Sequence, residues 1–378
     1  MAQNLILLVL SLSHMSVHII MMLVPSLYIE LINYFSISAS KLGFIFSLVS
    51  FCFGVGSLPM SFLYNKFGPK KLIAFSQLGI FISALSVSLS NSIITFAITN
   101  IFLGIFASIH HPVSLTLISE VFEKNISKAN AFHGVFGSIG VSLGPLIAFF
   151  AVSNLDWKSA FLIVALFNLF IIPLSLIFIP KTKKLNNVSL SDFKDRRQNN
   201  ILKTFFIISL VVGLSFTIFN TFIPSVFSIE FGKDSNRLVS IIMLSGFIGQ
   251  ILSGILGDKF NRSILLSIVF FLLMPLFILI FYVGNFSLIS ISAILAIMMY
   301  SIQPLINSII KEIAPTNIRS IVFGSNFFIM FGVSGLAAYL GGIIADYYSF
   351  KVIFPIFSLL FPIGMILIFI LNNQRRIG

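Results

Sequence analysis

Charge is what this chain has least of. Asp, Glu, Lys and Arg make up 9% of its 378 residues, while 58% are hydrophobic. A soluble domain carries about 25% charged residues, so this scarcity excludes a water-clad surface and points to a polytopic membrane protein. Cysteine occurs once, at Cys52, which excludes an internal disulfide and a cysteine-built metal centre. No Lys or Arg precedes Lys41. The apolar N-terminus therefore lacks the basic segment of a cleaved signal peptide, and is expected to remain as a first span containing His14, His18 and Pro25. No Gly-x4-Gly-Lys-Ser/Thr stretch occurs, and no loop is long enough for an ATP-binding domain, so a nucleotide-driven pump is excluded. The same short loops leave no room for the acid, nucleophile and metal set of a membrane enzyme, and no cofactor is expected. A net charge of +12 would suggest nucleic acid in a soluble protein. Here the basic excess serves orientation, and no nucleic-acid partner is expected.

What the chain does have is long apolar runs and 45 phenylalanines. The runs outlast the roughly ten alternating residues of a membrane β-strand and reach the roughly 20 that cross a bilayer as helix. They predict twelve spans at 5–32, 41–64, 72–90, 93–119, 129–152, 158–180, 201–227, 237–257, 263–283, 287–310, 320–345 and 351–371. With an internal N-terminus, 18 of the 23 Lys and Arg residues fall on the inner side and five on the outer. The positive-inside rule then places both termini in the cytoplasm and the protein in the cell's cytoplasmic membrane, the inner one of a two-membrane envelope. The longest polar stretch, "PKTKKLNNVSLSDFKDRRQNN" (180–200), separates two halves, 1–180 and 201–378, with 181–200 as a cytoplasmic linker.

The halves repeat. "LVPSLYIEL" (23–31) echoes "FIPSVFSIEF" (222–231), and "SFLYNKFG" (61–68) echoes "GILGDKFN" (254–261). "HPVSLTLISEVFEKN" (111–125) echoes "QPLINSIIKEIAPTN" (303–317), pairing Pro112 with Pro304 and Glu120 with Glu312. "WKSAF" (157–161) echoes "FKVIF" (350–354). Four matches in order predict two pseudo-symmetric six-helix bundles.

This pattern resembles the major facilitator superfamily along the whole chain. The family's loop between spans two and three reads Gly-x-Leu-x-Asp-Arg-x-Gly-Arg-Lys. Here "SFLYNKFGPKK" (61–71) supplies Leu63, Lys66, Gly68 and Lys70, with Asn65 in place of the Asp, while the second half keeps Asp258 followed by Lys259. The resemblance implies that these loops latch the inner face by pairing charge with neighbouring helix ends. A plainer reading makes the lysines topology markers. Span five carries "GSIGVSLGPLIA" (137–148), similar through Gly140, Gly144 and Pro145 to a pattern of the family's exporters. Glycines four apart permit close helix approach, suiting a helix packed on its pseudo-symmetric partner. More narrowly, the chain resembles the fosmidomycin-resistance branch, through His14 in span one and His111–Pro112 in span four. His18, Val113 and Asn100 stand where acids and an arginine occur in those exporters.

The resemblance implies an all-α integral membrane protein whose twelve helices surround a central cavity lined by spans one, four, seven and ten. No Asp, Glu, Lys or Arg is predicted at mid-depth, and all five histidines lie in the first half. His14, His110 and His111 are each about 12–14 Å from the inner ends of their spans at about 1.5 Å per residue. His18 lies one turn above His14 on the same face. His110 and His111 point about 100° apart, and His111 is favoured for the cavity because the repeat sets Gln303 opposite it. His133, nearer the inner end of span five, is the weakest candidate. Imidazole titrates near pH 6.5 in water, so the cluster is a candidate site for substrate and protons. Alternatively, each ring simply bonds a carbonyl freed by Pro25 or Pro112. His14 and His18 also have zinc-ligand spacing, but with no cysteine or carboxylate beside them no metal is expected. The second half offers Asn220, Gln303 and Asn307 as uncharged polar groups.

The function expected is secondary active transport of a small solute by alternating access, proton-coupled, in the manner of an antiporter or exporter, by a chain acting as a monomer in the bilayer. An uptake carrier or uniporter of the same fold, or a transporter-like receptor, are the alternatives. The charge count yields a test of topology. A reporter enzyme active only outside the cytoplasm should be silent when fused after Asn200 or Gly378, and activity at either point would overturn the orientation.

Overall fold

A computed structural model describes residues 2–122, 125–181, 196–315 and 318–376. Most of the expected linker, 182–195, lies outside the described residues. Among the described residues, eleven helical stretches are long and apolar enough to cross a membrane. One of them, Gln198–Lys259, contains two helices folded back at Gly232–Asp234, which makes twelve crossings among the described residues.

Span one is Ala2–Ser26, extended by Tyr28–Phe35, and span two is Ala39–Ser57, extended by Met60–Phe67. Span three is Pro69–Ser88, and span four is split into Ile93–Ser108 and His110–Val121. Spans five and six are Ile126–Asn154 and Trp157–Phe178. Spans seven to ten are Arg196–Phe231, Ser235–Lys259, Arg262–Tyr282 and Asn285–Ile313. Span eleven joins Arg319–Phe327 to Leu336–Tyr347 through a π turn at Phe328–Gly332 and a 3₁₀ turn at Val333–Gly335. Span twelve is Phe350–Ser358 and Leu360–Arg376.

Hydropathy predicted unbroken spans, and two of the breaks follow one rule. Proline lacks an N–H and crowds the carbonyl four residues back. Pro112 stands four residues after Ser108, and Pro362 four after Ser358, and each helix stops at that serine. The serine hydroxyls turn back to Ile105 O and Pro355 O, both at 2.6 Å. Pro304, the repeat partner of Pro112, lies inside an unbroken helix.

Helix pairing carries the repeat into three dimensions. In the first half span one packs on five and six, two on four, and three on four and six. In the second half seven packs on eleven and twelve, eight on ten, and nine on ten and twelve, the same scheme shifted by six. The halves meet through span two on eleven, five on eight and one on seven, which the pseudo-twofold exchange maps onto itself.

That meeting is tight at the end away from the termini. Asp346 accepts the backbone N–H groups of Ala39 at 2.7 Å and Ser40 at 3.0 Å, at the start of span two. Asn236 donates to Ser26 O at 3.0 Å, and Ser142 to Ser240 O at 2.9 Å. Along spans two and eleven, Gly43 lies against the Ala338 carbonyl, Gly335 against Ser47 and Ser50, and Gly54 against Gly332. At the terminal end the first half instead keeps its own apolar cluster, including Leu10, Tyr64, Ile73 and Ile118, separate from the larger core that both halves share.

The seam predicts a specific sensitivity. Gly43→Leu drives a side chain into the Ala338 carbonyl, and such overpacking costs about 1–3 kcal/mol. It should lower the thermal unfolding midpoint in detergent, whereas Gly254→Leu, where an added Cβ meets nothing within 4 Å, should not. Equal midpoints would show that the close approach is dispensable.

Candidate functional site

The five histidines come together although they are spread over three spans. The organising contact is between spans one and five. Gly137 and Gly140 present bare backbone to span one, Gly137 against the His14 ring and Gly140 against the Met15 carbonyl, and Gly144 does the same at Met22 and Ile19. The small-residue pattern of span five thus serves span one, its neighbour within the half, rather than its pseudo-symmetric partner. Span eight is met by serines of span five, Ser142 at Ser240 and Ser138 at Gln250, the latter at 3.1 Å. Pro145 lies inside the continuous helix of span five.

Close approach lets His14 Nδ1 bond the backbone oxygen of His133 at 2.9 Å. A carbonyl only accepts, so Nδ1 carries the proton and Nε2 is left with its lone pair. Two further imidazoles converge on that atom: His18 Nε2 at 3.0 Å and His111 Nε2 at 3.1 Å. His14 and His133 stack with ring centroids 4.1 Å apart, and His110 stacks 5.6 Å from each. Both His110 ring nitrogens, with His111 Nδ1 and His133 Nδ1, are buried without a hydrogen-bond partner. His14, His110 and His133 are buried, while His18 and His111 are only partly so. The cluster therefore opens on one side, through His18 and His111. The carbonyl that His14 bonds belongs to span five, and is not one freed by Pro25 or Pro112.

Aromatic rings line the approach. His111 lies 5.1 Å from Phe327 and 5.9 Å from Phe53. Phe327 continues to Phe331 at 4.8 Å, Phe331 to Phe216 at 6.3 Å and Phe216 to Tyr300 at 5.3 Å. Tyr300 donates to Asn220 Oδ1 at 2.9 Å, so the chain of rings runs from the histidines to a polar pair in the second half. Of the other second-half candidates, Gln303 is exposed and Asn307 partly so. Sequence ranked His133 as the weakest candidate, and Phe53, Phe216, Phe327, Phe331 and Tyr300 were not singled out. Among 45 phenylalanines, nothing local distinguishes a site-lining ring from a packing one.

The inner-loop motif sits at the terminal face. Gly68 joins the short Met60–Phe67 helix to span three with φ +79°, a conformation that favours glycine. Lys66 lies 5.2 Å over the Phe67 ring, Lys70 is in the first turn of span three, and Asn65 is partly buried. Asp258 and Lys259 are exposed, with Arg262 3.9 Å from Asp258. The stronger ties use the repeat-related glutamates. Glu120 accepts from Tyr64 at 2.8 Å, and Glu312 binds Arg262 and, at 2.7 Å, Arg375. Each glutamate fastens the end of span four or ten within its own half.

Comparison with known proteins decides the family. The profile of the Major Facilitator Superfamily matches residues 6–338 and 205–377. The chain belongs to this superfamily. The chain is similar to an uncharacterized transporter of Buchnera aphidicola subsp. Schizaphis graminum, 24% identical over 249 residues, an alignment covering 63% of this chain and 60% of that one, so the match spans less than two thirds of that relative's length. The MFS-type transporter pytF of Aspergillus terreus is 29% identical over 241 residues, 60% of this chain and 78% of that protein. A solved bacterial homologue of the human lysosomal transporter Spinster, inward-facing and occupied, superposes with a TM-score of 0.80 at 13% identity, covering 97% of this chain and 96% of that one. At that identity the likeness shows the fold.

The glutamate ties predict an order of effects. Glu312→Gln should lower the thermal midpoint of the protein by a few degrees, as expected for about 1 kcal/mol from a two-arginine network. Asp258→Asn, at a pair 3.9 Å apart with the Asp side chain 86% exposed, should leave it unchanged. The reverse order would return the fastening role to the loop motif.

Proposed function

We propose that this transporter expels a small solute across the cytoplasmic membrane in exchange for protons, by alternating access between the halves 1–180 and 201–378. Both termini and the 181–200 linker are cytoplasmic, and one chain suffices. One observation carries the reading: the halves are fastened at the end away from the termini, and the half-exposed imidazoles lie between that seal and the terminal face. This supports an inward-facing state with the histidine cluster, together with Asn220 and the intervening rings, as the place where the solute binds. The exporter-like pattern at Gly140, Gly144 and Pro145 supports the outward direction. Coupling to protons rests on imidazole being the one side chain titrating near neutral pH in water that the sequence places at mid-depth.

Two measurements test this. Proteoliposomes are screened with antibiotic-like, sugar, amino-acid and organic-acid solutes, with and without an imposed pH gradient. Gradient-driven movement of at least one class is expected, whereas downhill movement alone would make the protein a uniporter. The second measurement staples the seal. Ser142 Oγ and Ser240 Oγ are 3.1 Å apart, so Ser142→Cys with Ser240→Cys, in a Cys52→Ser background, should form a disulfide. Oxidation should stop transport and reduction restore it. Unimpaired transport by verified cross-linked protein would refute alternating access through this seam.

A further inference from the structure

We infer that His14, His18 and His111 form a binding site for a divalent transition-metal cation of the zinc class, with its fourth coordination position open to the interior. The inference deepens the proposed transport site by naming what it holds. One nitrogen from each ring lies within 4.8 Å of the others, and the two shorter separations are 3.0 and 3.1 Å. Zinc–nitrogen bonds of about 2.0–2.1 Å at tetrahedral angles set ligand nitrogens roughly 3.3 Å apart; the two separations to His14 lie near that, and the third, bounded at 4.8 Å, closes as the His18 and His111 rings turn onto the ion.

The hydrogen bonding of His14 points the same way. A metal-bound imidazole characteristically donates its other N–H to a carbonyl or carboxylate, which fixes the ring and directs its lone pair at the ion. His14 has that arrangement, with Nδ1–H on the His133 carbonyl and Nε2 turned to its two neighbours. Read as hydrogen bonds alone, the trio is poorly satisfied. The single lone pair of His14 Nε2 is approached by two nitrogens. A shared cation takes one lone pair from each ring and removes that competition.

The donor set selects the ion. Three imidazoles suit zinc, cobalt, nickel or copper, whereas magnesium and calcium take oxygen ligands. Among the described residues no carboxylate or thiolate joins the trio. Three protein ligands with an open position are characteristic of sites that exchange a ligand, rather than closed structural ones. The opening lies at His18 and His111, the partly exposed members. Two positive charges with no acidic protein partner favour an anionic donor in that fourth position, which the transported solute supplies. Sequence set zinc aside for want of a cysteine or carboxylate to close the site, and an open site of three imidazoles has no need of either.

The test uses tag-free full-length protein in detergent at fixed pH, with Co²⁺ as the probe. Wild type should take one equivalent with the intense visible bands of four-coordinate cobalt, displaced by Zn²⁺ but not by Mg²⁺. His14→Gln, His18→Gln and His111→Gln should each weaken binding at least tenfold. Absence of the bands, equal binding by the three variants, or displacement by Mg²⁺ would overturn the site. Should a variant fail to fold, wild type alone decides, since Zn²⁺ and not Mg²⁺ must then raise its unfolding temperature. Binding is read without transport, so the two readings fail separately. Cobalt bound by protein that moves no solute leaves the site and removes the transport role, while solute movement without cobalt bands removes the site alone.

Discussion

A helix carbonyl in span five takes the proton-bearing nitrogen of a histidine in span one, and the polar centre of this transporter is arranged around that bond. The contact requires two helix axes to approach more closely than ordinary side chains allow. Glycines at 137, 140 and 144 provide the approach, each meeting span one at a ring, a carbonyl or a Cβ. Once His14 is oriented, the i, i+4 spacing delivers His18 to the same atom, and the break after Ser108 carries His111 to it. Polar side chains within a bilayer must find partners inside the protein. Here the partners are largely other imidazoles, which concentrates unsatisfied lone pairs instead of dispersing them.

The two halves share a packing scheme but not a chemistry. Where the first half gathers histidines, the second sets Tyr300, Asn220 and Met243 in contact. Proline at equivalent positions interrupts span four and leaves span ten whole. At this pair of positions the first half carries a helix break beside the ligand-type donors, and the second an unbroken helix. The aromatic series from Phe327 to Phe216 spans the gap between them.

Much of this architecture was legible in the sequence, because hydropathy and charge report on a bilayer directly. Twelve crossings, the repeat and the superfamily could be read from runs, offsets and the loop motif. The grouping of His14, His18 and His111 was readable from helix spacing and depth. His133 was undervalued because its contribution is a backbone oxygen, which no side-chain inventory registers. The direction of the glycine face in span five was misjudged for a related reason. A stripe of small residues signals close approach without naming the neighbour, and that choice belongs to tertiary packing. The loop motif drew attention to Asp258, whereas the charge that ties helix ends together is Glu312, present in the sequence only as one member of a repeat pair.

The seam between spans two and eleven is built chiefly from glycine, serine and main chain: Gly43 on a carbonyl, Gly54 on Gly332, Gly335 on Ser47. Groups of this kind have few or no rotamers to freeze when they meet and few to release when they part. Opening and closing such a surface changes contact energy while leaving side-chain conformational entropy almost untouched. A gate made of interdigitated leucines would have to find its packing again at every cycle. In the proposed cycle a gate of bare backbone would return to the same fit each time, so the speed of closure would be set by rigid-body motion of the halves and not by a search among side-chain arrangements.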